Sequence, residues 1–244
     1  MKKALLWLLA GAFIVSSLPV AGFGQEAGEI LEKMIEAQGG AKALTAVKDT
    51  TINATVELVA MGMNGTLTMY QKEPSMMRMD IEIMGMVITQ AFDGTVAWMV
   101  NPQTGATEEM PEQAVAAMKR QSLGNDALLN PDKYGIKYAA KGKEKLDDKE
   151  YLVLEQTTAD GHQTTMYIDP ASYLTYKAKG KEVNLQTNTE VLTESVFGDF
   201  RKVGDVTLAH SVATSQDGQE FMKMAITKVA FNQGLEDSFF KMSK

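Results

Sequence analysis

Histidine, cysteine and enclosed carboxylate pairs carry much of protein chemistry, and this chain is sparing with all of them. It has two histidines and no cysteine. His162 lies in the turn-like run DGHQ and His210 near the end of a strand-like run, and neither has a second ligand or a nucleophile at a recognisable spacing. Exposed or capped histidines are the expectation. Asp80 and Glu82 alternate with apolar residues and share a face with Arg78, which is the look of a solvated sheet surface; a working acid–base pair needs an enclosure that raises one pKa. No glycine-rich phosphate loop and no serine elbow is present. An enzyme is not indicated, and no cofactor is implied.

Methionine is the residue in excess. Of 17 in the chain, nine fall between Met61 and Met99, seven of them in the clusters MGM, MMRM and MGM. Three chemistries fit such clusters: a filled core, a compliant apolar cavity for a ligand of variable shape, or thioether ligation of Cu(I). No histidine or cysteine accompanies the methionines as a further soft ligand. All three readings stand at the level of sequence, with a metal site the least supported.

The elements that would position these residues start with the stretch from Pro74 to Pro102. Met77, Met79, Ile81 and Ile83 alternate with Arg78, Asp80 and Glu82, so successive residues sort to an apolar and a wet face of a strand. Gly85 breaks the phase, a second strand runs to Phe92, Asp93-Gly94 makes a tight turn, and a third strand covers 96–100. Upstream, Ile52, Ala54, Val56 and Leu58 form another one-sided strand, Asn64-Gly65 reads as a hairpin turn, and Leu67 and Met69 lie on the returning strand. A cavity lined by Met77, Met79, Ile81, Ile83, Phe92, Trp98, Leu58 and Met69 follows from this arrangement.

Helical periodicity appears twice. Ile30, Leu31, Met34 and Ile35 give an apolar stripe that stops at Gly39-Gly40, with a shorter helix over 41–47. Pro111 opens a second region, in which Ala114, Val115, Met118 and Leu123 share a face. This insertion between two runs of strands is either a mobile lid, with Val115 and Met118 touching the cavity, or a helix simply packed on the sheet. From Tyr134 onward strands return, read at 136–140, 151–157, 163–168, 174–179, 183–200, 206–214 and 220–231 and separated by turns such as Asp160-Gly161 and Asp217-Gly218. About a dozen antiparallel strands with two helical regions make a mainly β fold.

Residues 1–24 read as a targeting segment, with Lys2 and Lys3, a short apolar run and a small-residue tail; cleavage is expected after Gly24, with Gly22 as the alternative. Without cysteine there is no bacterial lipid-attachment site and no disulfide. The exported chain, 25–244, reads as a single domain, soluble and periplasmic, with 22 basic and 31 acidic residues. That net −9 argues against a nucleic-acid partner.

A wider pattern emerges from the motifs taken in order: GGAKALTAVK, YQKEP, MRMDIE, QAFDGTVAW, NPQTG, YIDPASYL, FGDFRKVGDVTLAH and LEDSFFKM. Together they resemble the outer membrane lipoprotein-sorting family, the LolA-like periplasmic carriers and their relatives. The resemblance implies an unclosed antiparallel β-barrel around a hydrophobic cavity, with a helical lid. It also implies acyl chains of a lipoprotein or another lipid as cargo, carried between an inner-membrane donor and an outer-membrane acceptor. Two positions depart from the pattern: the family's carriers place an arginine before the proline matched by Pro74, where this chain has Glu73, and many relatives place a proline before the histidine matched by His210, where it has Ala209.

Overall fold

A computed structural model describes residues 22–184 and 189–242 of the chain. The targeting segment expected over 1–24 lies outside these residues as far as Ala21, and Gly22–Gly24 begin the first helix. Two helices open the chain, α1 (Gly22–Ala37) and α2 (Gly40–Ala46). Six strands follow: β1 (Asp49–Leu58), β2 (Met63–Lys72), β3 (Met76–Ile83), β4 (Met86–Phe92), β5 (Ala97–Val100) and β6 (Thr107–Glu109). Two further helices, α3 (Glu112–Gln121) and α4 (Asn125–Leu129), separate these from the second set. That set comprises β7 (Lys137–Leu146), β8 (Lys149–Thr157), β9 (Gln163–Ile168), β10 (Thr175–Asn184), β11 (Thr189–Val203), β12 (Val206–Gln216) and β13 (Gln219–Phe231).

All thirteen strands join one antiparallel sheet in the order β6-β5-β4-β3-β2-β1-β13-β12-β11-β10-β9-β8-β7. The sheet is not closed: β6 and β7 are its two edges, and the helices α3 and α4 lie between them in sequence. The expected unclosed barrel of about a dozen strands is therefore borne out. β1 pairs with β13, so the seam between the two sets of strands is made by the first and last of them.

Register carries one face continuously across the sheet. Ala140, Leu154, Met166, Ala178, Ser195, Thr214, Met222, Leu58 and Met63 form a single rung, each residue opposite the next. Paired residues share a face, so every member of the rung points inward together. The same parity puts Met69, Met77, Met79, Ile81, Ile83 and Phe92 on that inner face.

Several local expectations change. The β1–β2 turn is the short 3-10 turn Val59–Met61 with Gly62 in the left-handed region, whereas Asn64 and Gly65 lie inside β2. Gly65 answers to packing, since a Cβ there would run into the Glu82 carbonyl oxygen of β3. The strand read over 183–200 is two, β10 and β11, and their connection falls in 185–188, outside the described residues. Leu123 sits beyond the end of α3.

Candidate functional site

The inner face divides into three parts. At the β7–β9 end α1 covers it, and Ala27, Ile30 and Met34 pack with Ala140, Leu154 and Ile168. At the β4–β5 end α3 covers it, and Ala114 and Met118 pack with Met77, Phe92 and Ala97. Between the two, the inner apolar cluster is made of strand residues alone: Ala54, Val56, Leu67 and Ile226, flanked by Ile52, Met79, Ile81, Met222, Met224 and Val229.

The flanking residues of this middle part are only half-buried. In a close-packed core they would be covered on every side. The row from Met77 to Ile83 shows the gradient directly: Met77 is 2% exposed beneath α3, while Met79, Ile81 and Ile83 are half-exposed further along the strand. Leu58 and Met69 are likewise half-buried on the inner face. A cavity of about 760 Å³ lies against β1, β2 and β10–β13 and touches Val56, Phe197, Val212 and Met224, which form one rung.

Seven of the eight residues read as cavity lining thus share the inner face, and Trp98 does not. Phe92 pairs with Ala97, which puts the next residue, Trp98, on the opposite face together with Ala91 and Arg78. There the chain's C-terminal 3-10 turn, Asp237–Phe240, covers it: Trp98 Nε1 donates to the Phe240 carbonyl at 2.8 Å, and the Arg78 guanidinium lies 4.5 Å from the Phe239 ring centroid. The outer face expected to be wet is consequently covered at this point. Arg78 also pairs with Asp80, which accepts from the Thr89 hydroxyl.

Of the two residues read as lid contacts, Met118 is buried in the α3 cluster and Val115 is half-buried at its margin. Opposite ends of α3 are tied differently. On one side are the apolar contacts to Met77 and Phe92. On the other, Arg120 reaches across to the second set of strands, with Nη1 at 2.7 Å from Asp160 Oδ2 and Nη2 at 3.1 Å from Glu182 Oε2. His162 Nε2 lies 3.3 Å from Glu182 Oε1. Burial pushes the Asp160 carboxyl up, but the Thr158 hydroxyl and Arg120 outweigh it and hold it at about 2.

The β2–β3 turn grips the joint between α3 and α4. Gln71 Nε2 donates to the carbonyls of Ser122 and Leu123, and Glu73 accepts from the backbone N–H groups of Asn125 and Asp126 at 2.7 and 3.2 Å. A Cβ at Gly124 would strike the Glu73 carboxylate. Burial raises the Glu73 pKa, and these two N–H groups pull it back in part. Backbone donors at the start of a helix suit a carboxylate and repel a guanidinium, which gives the departure at Glu73 a local physical reason.

Of the two expected arrangements, exposed or capped, both histidines take the second: His162 is half-buried with Nε2 3.3 Å from Glu182, and His210 is 7% exposed with Nδ1 at 3.1 Å from the Leu208 carbonyl. No group of three or more histidine, cysteine or acidic side chains able to hold a metal occurs among the described residues. The methionines scatter. Met77 is buried, Met69, Met79 and Met99 surround it, and Met61, Met84 and Met86 stand exposed at hairpin turns. Nothing in this arrangement favours the copper reading.

No family model matches the sequence, and no curated protein matches it either. Solved structures do. An outer membrane lipoprotein-sorting protein domain from Vibrio parahaemolyticus superposes with a TM-score of 0.59 at 13% identity, covering 89% of this chain and 97% of that one. A DUF1329 family protein from Desulfovibrio piger gives 0.58 at 12% identity over 88% and 97%. A LolA superfamily protein from Nitrosomonas europaea gives 0.57 at 14% identity over 88% and 97%. The fold is therefore that of the lipoprotein-sorting and LolA superfamily proteins, as the motifs suggested. No helix among the described residues is long and apolar enough to cross a membrane.

Proposed function

We propose that this protein is an exported carrier that holds the acyl chain of a lipoprotein or another lipid against the inner face of its open sheet. The observation that carries this reading is the half-exposed inner row Met79, Ile81 and Ile83, continuous with Leu58, Met222 and Met224. Apolar side chains left partly uncovered on a concave face are suited to an apolar ligand, and methionine adapts to ligands of different shape. The helix α3, held by apolar contacts on one wall and by Arg120 on the other, acts as the lid. The chain from Gln25 to Lys244 works as one domain in the periplasm, taking cargo from a donor and passing it to an acceptor. No catalytic chemistry is required of it.

The test uses Met79→Glu, with Asp80→Ala on the outer face as the control. A charge at a site open to water stays hydrated, whereas in a filled core it would cost several kcal/mol, on the order of what unfolds a domain. Met79→Glu is expected to stay folded in a thermal melt and to lose binding of a fluorescent fatty acid. Asp80→Ala removes the partner of Arg78 and Thr89, so it should cost about 1 kcal/mol and keep the binding. Undiminished fatty-acid binding by Met79→Glu would defeat the carrier reading.

A further inference from the structure

A second chamber, of about 310 Å³, lies between the helices α3–α4 and the wall of β7–β10. One side of it is apolar, supplied by Leu123, Ala127, Leu128 and Ile136. The other carries a polar rung on the sheet's inner face: Tyr138 opposite Gln156, Gln156 opposite Thr164, and Thr164 opposite Gly180. Two residues further along each of these strands comes the apolar rung Ala140, Leu154, Met166 and Ala178. A single step along the wall thus changes the inner face from hydrocarbon to hydrogen-bonding groups.

Those groups are not used up internally. Gln156 Nε2 donates to Tyr138 Oη at 2.8 Å, and among the described residues nothing pairs with the Tyr138 hydroxyl proton or the Gln156 amide oxygen. Among the described residues Thr164 Oγ1 has no hydrogen-bond partner, and all three side chains are half-buried around the chamber. The rung passes through Gly180, which has no side chain, to Thr193 of β11; a Cβ at Gly180 would come within 3.6 Å of Thr164 Oγ1 and 3.5 Å of His162 Nε2. The volume is room for about ten water molecules. Charge at the edge of the chamber is one guanidinium, Arg120, against two carboxylates, Asp160 and Glu182, with the His162 imidazole 3.3 Å from Glu182. Arg120 is already paired on both sides, so it offers no free cation to a phosphate or carboxylate, and the surplus carboxylate repels one.

We propose that this chamber is a head-group subsite, selecting lipids whose head is uncharged and hydrogen-bonding, such as glyceryl hydroxyls or an amide, over lipids with an anionic head. The proposal rests on the carrier reading above and names the ligand class of that same interior. The free donor of Tyr138, the acceptor of Gln156 and the hydroxyl of Thr164 pair with the head, and the half-buried Leu123 and Leu128 on the chamber's apolar side meet the start of the chain.

The experiment displaces a fluorescent fatty acid from the protein, purified in its exported form at neutral pH, with three ligands of identical chain: monooleoylglycerol, oleate and oleoyl lysophosphatidate. Monooleoylglycerol should displace the probe at a concentration at least tenfold lower than oleoyl lysophosphatidate. In Tyr138→Phe and Gln156→Leu that preference should shrink to threefold or less, with oleate displacement unchanged. Thr164→Val makes the same comparison if either variant melts early. Equal displacement by the glyceryl and phosphate lipids, or a preference that survives the substitutions, overturns the subsite while leaving the carrier reading intact. A wild-type protein that binds none of the oleoyl compounds overturns both.

Discussion

The two ends of the row Met77–Ile83 differ in what lies over them, although their residues are of one kind. Met77 is sealed by Phe92 of β4 and by Ala114 and Met118 from α3, whereas the cluster around Ile81 is made of strand residues such as Leu67 and Ile226. Sequence chemistry is alike along the row, and position beneath a helix decides whether a side chain is core or lining. An open sheet can therefore hold a dry, load-carrying end and a hollow end on the same strand. The helices that seal it are fixed by contacts distant in sequence.

That comparison breaks most visibly with a charge at each end. Met77→Glu should fail to fold or lose several kcal/mol in urea, because an unpaired carboxylate would be buried; Ile81→Glu should lose on the order of 1 kcal/mol or less and abolish fatty-acid binding. Similar melts for the two variants would erase the distinction.

Within α3 the same contrast is smaller. Met118→Ala opens a hole in the sealed end and should cost about 2–4 kcal/mol, while Val115→Ala, at its margin, should leave the melt nearly unchanged and speed release of the probe. Next comes the grip on the α3–α4 joint: Glu73→Ala removes a charged acceptor from two backbone N–H groups and is expected to cost about 1.5–3 kcal/mol, read from the shift in the urea midpoint.

The smallest effect belongs to the Arg120 tether. Asp160 titrates from an ordinary 3.8 down to about 2 in the folded protein, so its contribution is present above the ordinary value and is lost as pH falls through about 2. Its side chain is 42% exposed, and solvent screening keeps the stability effect slight. Release of the probe should be flat from pH 7 to below 3.8 and rise only as pH approaches about 2. In Arg120→Ala it should be faster at pH 7 by less than threefold and lack the acid step, as stopped-flow fluorescence would record.

Much of this was legible in the residues. The alternation of Met77, Met79, Ile81 and Ile83 fixes an inward row because a strand's period is two, and the apolar stripes of the helices place α1 and α3 within a few positions. Trp98 escaped because the face of a strand after a turn depends on the number of residues in the connection and on the pairing of Phe92 with Ala97, neither of which its own composition encodes. The C-terminal turn over Arg78 and Trp98, and the reach of Arg120 to Asp160 and Glu182, join residues far apart in sequence with no local pattern to announce them. Asn64-Gly65 misled for a different reason. Glycine there serves the close approach of β3, and the turn signal it mimics is supplied by Gly62 instead.

The pairing of β1 with β13 has a kinetic side. Hairpins such as β3–β4 and β11–β12 close over short loops, but the seam joins segments at the two ends of the described chain; Lys48 N and Asn232 Oδ1, for example, bond across 184 positions. Bringing such distant segments together demands most of the loop-closure entropy before any contact offsets it, so the seam should form last and set the pace of folding. Until residues 219–231 have emerged, β1 presents a bare edge of unpaired amides and carbonyls, the kind of edge that recruits strands from other molecules. A nascent or truncated chain of this protein should for that reason be prone to pair with other chains along β1, however stable the finished sheet becomes.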